Sequence, residues 1–244
     1  MRRRLLEVCV DSLAGARVAQ SAGADRIELC AALELDGLSP GADLLRAVVA
    51  EVDLPVMVMV RPRPGGFCYT ADELALMERE IRALRDSGIQ GVVAGTLRED
   101  GRIDEPSLRR LRDAAGSLDF TFHRAFDVSL AACVASRADA TRPLRDAFGA
   151  LLDGLVAAGV GRVLTSGGAP SVAAGLGVLR ELLAMRAEAI TVMPGGGVDE
   201  RSLPELLALG AREVHASASV AVAGKRVTSA DRVAAFVRIL NGSS

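Results

Sequence analysis

The sequence predicts one closed (β/α)8 barrel, and three observations carry that expectation. Short β-branched runs alternate eight times with longer Ala/Leu-rich amphipathic ones, with no break in composition between them. The length, 244 residues, is typical of a single α/β barrel. Half of the residues are apolar, yet there is no Trp and one Tyr, so the core must be built from Ala, Leu, Val and Ile, as suits parallel strands covered by helices. The runner-up is a doubly wound open sheet. It would want a Gly-rich fingerprint after the first strand, and Asp11-Ser12-Leu13-Ala14 is not one.

Strands are expected at 5–10, 26–30, 55–60, 90–95, 118–123, 161–166, 189–194 and 212–216. Between the third and fourth lies helical periodicity over 72–87, where Leu74, Met77, Ile81 and Leu84 recur at spacings of three and four. Asp72 is placed to cap that helix and Gly88 to end it. Ala22-Gly23-Ala24, Ala158-Gly159-Val160 and Leu209-Gly210-Ala211 read as helix stops that feed the next strand. Residues 128–160 form an oversized fifth connection, read as an insertion within about 129–150 whose stretch Ser136 to Pro143 is a polar surface excursion. The chain is thus expected to form a single domain over 1–244.

Net charge is −2 and the basic residues are scattered, which leaves no electrostatic footprint for nucleic acid. The apolar run behind Arg2-Arg3-Arg4 is interrupted by Glu7 and Asp11, too short for a signal-peptide core or a membrane span. A soluble, cytoplasmic protein is expected. The four cysteines, Cys9, Cys30, Cys68 and Cys133, show no C-x-x-C pairing, and no disulfide framework is expected in such a chain.

Side chains two apart on a strand share a face. Alternation sends Leu6, Val8, Val10, Ile27 and Leu29 toward the helices. It sends Glu7, Cys9, Arg26, Glu28, Cys30, Met57, Met59, Arg61, Thr121, His123, Glu213, His215 and Ser217 inward. Barrel interiors are normally filled by Val, Ile and Leu, so an ionic lumen stands out. One reading is a structural network in which Arg26 and Arg61 neutralise Glu7 and Glu28, because a buried charge costs several kcal/mol unless paired. The other is a polar pocket at the C-terminal mouth, where barrel enzymes keep their chemistry. The two diverge for Arg61, His123 and His215, which sit at strand ends; His123 and His215 are the chain's two histidines.

The loops after the strands add anion-binding candidates. Arg61-Pro62-Arg63-Pro64-Gly65-Gly66 is pre-bent and rich in donors. Thr165 and Ser166 end strand 6, and Gly195, Gly196 and Gly197 end strand 7, where backbone N–H groups can face a phosphate or carboxylate. Barrel phosphate sites use the loops after strands 7 and 8, which here hold Gly195–Gly197 and Ser217.

Leu6–Ser12, Gly23–Cys30, Val58–Arg63, Thr121–Asp127, Arg162–Gly167 and Val192–Val198 resemble, in order, the motifs of the CutC family, named for copper homeostasis. The resemblance runs from residue 5 to about 217. It implies a cytoplasmic (β/α)8 barrel, usually a homo-oligomer, linked with copper handling. It also implies that Cys9 and Cys30 are the ligands for monovalent copper, Cu(I), to which thiolates are suited by softness. The chain departs from the family pattern at Pro64-Gly65-Gly66-Phe67, at Glu34–Pro40 and in the length of 128–160.

Three functional classes follow. The first is a copper-binding homeostasis protein. The second is an enzyme acting on a small anionic or phosphorylated metabolite, with His123 as general acid/base. In it, Glu7, Glu28 and His215 share proton transfer or orient substrate, and Arg26, Arg61 and Arg63 bind the anion. The third is an inactive scaffold that keeps its ionic lumen only for folding.

Overall fold

The computed structural model describes residues 4–135, 144–185 and 189–242. Eight parallel strands form a ring: β1 (Leu5–Val10), β2 (Arg26–Leu29), β3 (Val56–Met59), β4 (Gly91–Ala94), β5 (Asp119–Phe122), β6 (Arg162–Thr165), β7 (Thr191–Pro194) and β8 (Glu213–Ala216). Each pairs with its sequence neighbour, β1 also pairs with β8, and one parallel bridge between Gly195 and His215 joins the remaining edges. This (β/α)8 ring rules out the open doubly wound sheet.

The helices α1 (Leu13–Ser21), α2 (Ala42–Glu51), α3 (Ala71–Leu84) and α4 (Glu105–Ala115) follow the first, second, third and fourth strands. In α3 the expected residues Leu74, Met77, Ile81 and Leu84 are buried; each contributes about 1.5–3 kcal/mol of hydrophobic stabilisation. Its cap is Thr70 and not Asp72. The Thr70 hydroxyl accepts from Glu73 N–H while the Glu73 carboxylate accepts from Thr70 N–H, a reciprocal capping box. The oversized fifth connection holds two helices, α5 (Ala125–Ala135) and α6 (Leu144–Ala157); the expected excursion, Ser136 to Pro143, lies outside the described residues. Helices α7 (Leu176–Leu183) and α8 (Ser202–Ala208) complete the next two units. The chain then adds an antiparallel hairpin, β9 (Ser219–Val222) with β10 (Lys225–Thr228), before α9 (Ala230–Leu240) packs beside β1. None of the described helices is long and apolar enough to cross a membrane.

Register positions the site. Glu7 lies opposite Arg26 on one side and His215 on the other, and Cys9 lies opposite Glu28. The outward faces, Leu6, Val8, Val10, Ile27, Leu29 and their equivalents, merge with the helices into one large core. A second, smaller cluster sits inside the ring: Cys9, Cys30, Met57, Met59 and Val93. Four of those five side chains carry sulfur, so the upper lumen is soft and apolar on one flank.

Candidate functional site

The lumen is ionic at its base. Glu7 is fully buried and accepts from the Arg26 Nε–H, while its other oxygen lies 2.8 Å from His215 Nδ1. Arg26 reaches Glu213 at 2.6 Å, and Arg162 reaches the same Glu213 oxygen at 2.6 Å. Four strands are thereby tied across the ring by alternating charges. Burial works against ionising Glu7, but Arg26 and then His215 overcome it and bring its pKa to about 2. Burial likewise disfavours charge on His215, yet Glu28, Cys9 and Glu7 together raise its pKa well above the ordinary imidazole value. His215 is therefore biased toward the imidazolium.

Above this base the thiols meet. Cys9 Sγ and Cys30 Sγ are 3.7 Å apart, and Glu28 Oε2 lies 3.1 Å from the first and 3.4 Å from the second. His215 Nε2 is 3.7 Å from that same oxygen. The thiol hydrogen bond from Cys30, opposed by burial and helped by His215, lowers the Cys9 pKa to about 5. The same bond raises that of Cys30, and burial and the Cys9 sulfur raise that of Glu28. The proton inventory is uneven: Cys9 is biased toward the thiolate and His215 toward its charged form, while Cys30 and Glu28 are biased toward their protonated forms. Cys68 is exposed on the strand 3 loop and takes no part.

The opposite wall is built from Arg61, Phe67 and His123. The Arg61 guanidinium sits 5.1 Å from the Phe67 ring centre, and Phe67 lies 4.7 Å from the His123 ring. Arg61 does not neutralise Glu28, contrary to the structural network the sequence suggested. Its guanidinium donates instead to the carbonyls of Leu35, Gly37 and Gly65, because the β2–α2 loop turns back through left-handed Ala32, Asp36 and Gly37. His123 Nδ1 accepts from Ala125 N–H at the start of α5 (3.2 Å), which places the ring proton on Nε2. Burial and then Arg61 press the His123 pKa down to about 3. An imidazole held so low stays neutral at physiological pH and is poorly matched to general acid/base work there.

The rim is tied by Asp127. It accepts from Arg124 (2.8 Å), the Thr165 hydroxyl (2.5 Å), Ser166 N–H (3.1 Å) and Gly168 N–H (2.8 Å), which ties the β5 and β6 loops together. Thr165 and Ser166 are spent in this tie and do not line the cavity; Gly195 sits in the bridge that closes the ring. Gly196, Gly197 and Ser217 do line it. Arg26 lies below, engaged by two carboxylates. Arg63 turns away to Glu73 and the loop carbonyls of Gly66 and Cys68, so it clamps nothing at the mouth.

The result is a cavity of about 500 Å³ at the C-terminal mouth, lined by Cys9, Glu28, Cys30, Arg61, His123 and His215 among others. Sequence reasoning placed these six. Arg124 and Asp127 fall inside the Thr121–Asp127 motif, and Arg226 was missed. Arg226 comes from the β9–β10 hairpin and donates to Ser217 Oγ at 2.9 Å.

Comparison with known proteins agrees with this fold. A sequence model of the CutC family matches residues 4–220. A family protein CutC of Salmonella enteritidis PT4 is 43% identical over 216 residues, 88% of this chain and 80% of its own length. One of Klebsiella pneumoniae (strain 342) is 44% identical over 214 residues, with the same shares covered. A crystal structure of a CutC from Streptococcus agalactiae, assigned by its name to copper homeostasis, superposes with a TM-score of 0.75 at 26% identity. That match covers 88% of this chain and 98% of the other. With the family's motifs spread around one ring and the match spanning most of the chain, the conclusion is direct: this protein belongs to the CutC family.

Proposed function

We propose that the barrel mouth binds monovalent copper, with Cys9 and Cys30 as its thiolate ligands, in a cytoplasmic copper-homeostasis protein that assembles as a homo-oligomer. The observation that carries this reading is the buried thiol pair 3.7 Å apart, one member of which is held toward the thiolate. The donor chemistry fits a soft cation. Two sulfurs and one Glu28 oxygen lie within 4.8 Å of one another, and Met57 and Met59 pack against the pair. Free thiols of this kind persist in a reducing cytoplasm.

The test is a Cu(I) titration against a competing chelator under reducing conditions. One ion per chain is expected for the native sequence, and none above background for the Cys9→Ser, Cys30→Ser double variant. Unchanged uptake in that variant overturns the reading.

A further inference from the structure

The copper ligands leave part of the mouth unexplained. Three buried polar atoms that belong to cavity-lining residues have no hydrogen-bond partner: His123 Nε2, Arg61 Nε and Glu28 Oε1. Native proteins rarely leave such groups bare, because each lost partner costs about 1–3 kcal/mol. Arg61 is the more telling case. It is only 4% exposed, and among the described residues it forms no ion pair, its other guanidinium nitrogens being spent on carbonyls. A buried cation without a counter-charge costs several kcal/mol, and no carboxylate among the described residues pairs with this one.

His123 is fixed beside it. Its Nδ1–Cε1 edge packs on Gly95, where a Cβ would come within 2.7 Å of both atoms, and Nδ1 is occupied by Ala125 N–H. Phe67 packs tilted against the His123 ring and also contacts the Arg61 guanidinium. The ring can neither turn nor change tautomer without losing these contacts. It presents a neutral Nε2–H, the arrangement by which an imidazole polarises an oxygen instead of moving a proton.

We propose that this mouth binds a small hydroxy acid: its carboxylate takes the Arg61 Nε–H and the His123 Nε2–H, and its hydroxyl meets Glu28 Oε1. The carboxylate supplies the missing counter-charge and two acceptor atoms on the same wall. A hydroxyl both donates and accepts, so it satisfies Glu28 whether that carboxyl carries its proton or not. A cavity of about 500 Å³ is in the range of small-metabolite sites. Its carboxylate contacts stand on the β3–β5 wall, apart from the thiols on β1 and at the end of β2, and Glu28 is the one residue placed between the two.

The chain has two histidines, so imidazole ¹⁵N NMR of the native protein resolves both. His123 is expected as the neutral Nε2–H tautomer, and its Nε2–H resonance should move saturably on titration with glycolate or glycerate. Acetate, without the hydroxyl, and ethylene glycol, without the carboxylate, should each bind about tenfold more weakly. His123→Phe keeps the ring packing and should weaken glycolate or glycerate binding about tenfold, as should Arg61→Met, while Cu(I) uptake by His123→Phe is retained. A proton on Nδ1, or no saturable shift with either hydroxy acid, overturns the proposal, and so does binding that survives in His123→Phe. The native-protein titration decides the matter even where a variant does not fold. Loss of copper uptake in the cysteine variant bears on the other reading alone.

Discussion

His123 and His215 bring the same side chain to the same cavity, and their neighbours drive the two pKa values apart. Burial dominates His123 because Arg61 adds positive charge and no carboxylate answers it. His215 is buried too, yet Glu7 and Glu28 flank its two nitrogens. The consequence for stability has opposite signs. The folded His123 sits near 3 against an unfolded value of 6.5, so its contribution is present above pH 6.5 and is lost as pH falls through that window. His215 is raised, so its contribution is present below 6.5 and is lost as pH rises through its folded pKa. Glu7 adds a loss that begins only below about 4.5 and continues toward 2. Urea unfolding free energy should therefore decline already between pH 6.5 and 4.5, and His123→Phe should flatten that part of the profile. An unchanged slope in the variant would show that the imidazole is not held neutral by the fold.

At the scale of elements, the wall that carries His123 depends on a missing side chain. Gly95 follows β4, and a Cβ there would stand 2.7 Å from the imidazole and 3.2 Å from the Phe122 ring. Gly95→Ala should cost about 1–3 kcal/mol as the ring is pushed off its bond to Ala125 N–H. Chemical denaturation measures the loss, and the His123 tautomer should become mixed; a variant as stable as the native chain, with the tautomer intact, contradicts this packing. The strands themselves were legible, since eight β-branched runs with one apolar face each admit few other arrangements. The inward position of Arg61 was legible from alternation too. Its partners were not, because they are carbonyls of a loop whose left-handed residues, Ala32 and Asp36, give no compositional signal. The β9–β10 hairpin was missed for a related reason. Val220, Val222 and Val227 are exposed and pair only within the hairpin, so they lack the buried-face periodicity that marks a barrel strand. Thr70-x-x-Glu73, by contrast, was readable as a capping box and fixes the α3 cap two residues before Asp72.

For the molecule as a whole, the ring is uneven. β1 and β2 share four registered pairs, and so do β1 and β8, whereas β7 and β8 meet through the single Gly195–His215 bridge. That seam passes through the candidate site: His215 is at once the last link of the barrel and a partner of Glu7 and Glu28. A parallel edge with one bridge has little backbone hydrogen bonding to hold it, so local opening should start there. In hydrogen exchange, amides of β7 and β8 facing this seam should lose protection well before those between β1 and β2. Gly195 tightens the same point. A Cβ at this position would collide with Leu164 Cδ1 and stand 3.0 Å from His215 Cβ, so Gly195→Ala should wedge the edges apart. The expected signature combines a stability loss of about 1–3 kcal/mol with a His215 pKa that falls back toward 6.5 as its distances from Glu28 and Glu7 grow. Uniform protection around the ring, or a His215 pKa untouched by the substitution, would mean that closure and site chemistry are separate properties of this barrel, not one.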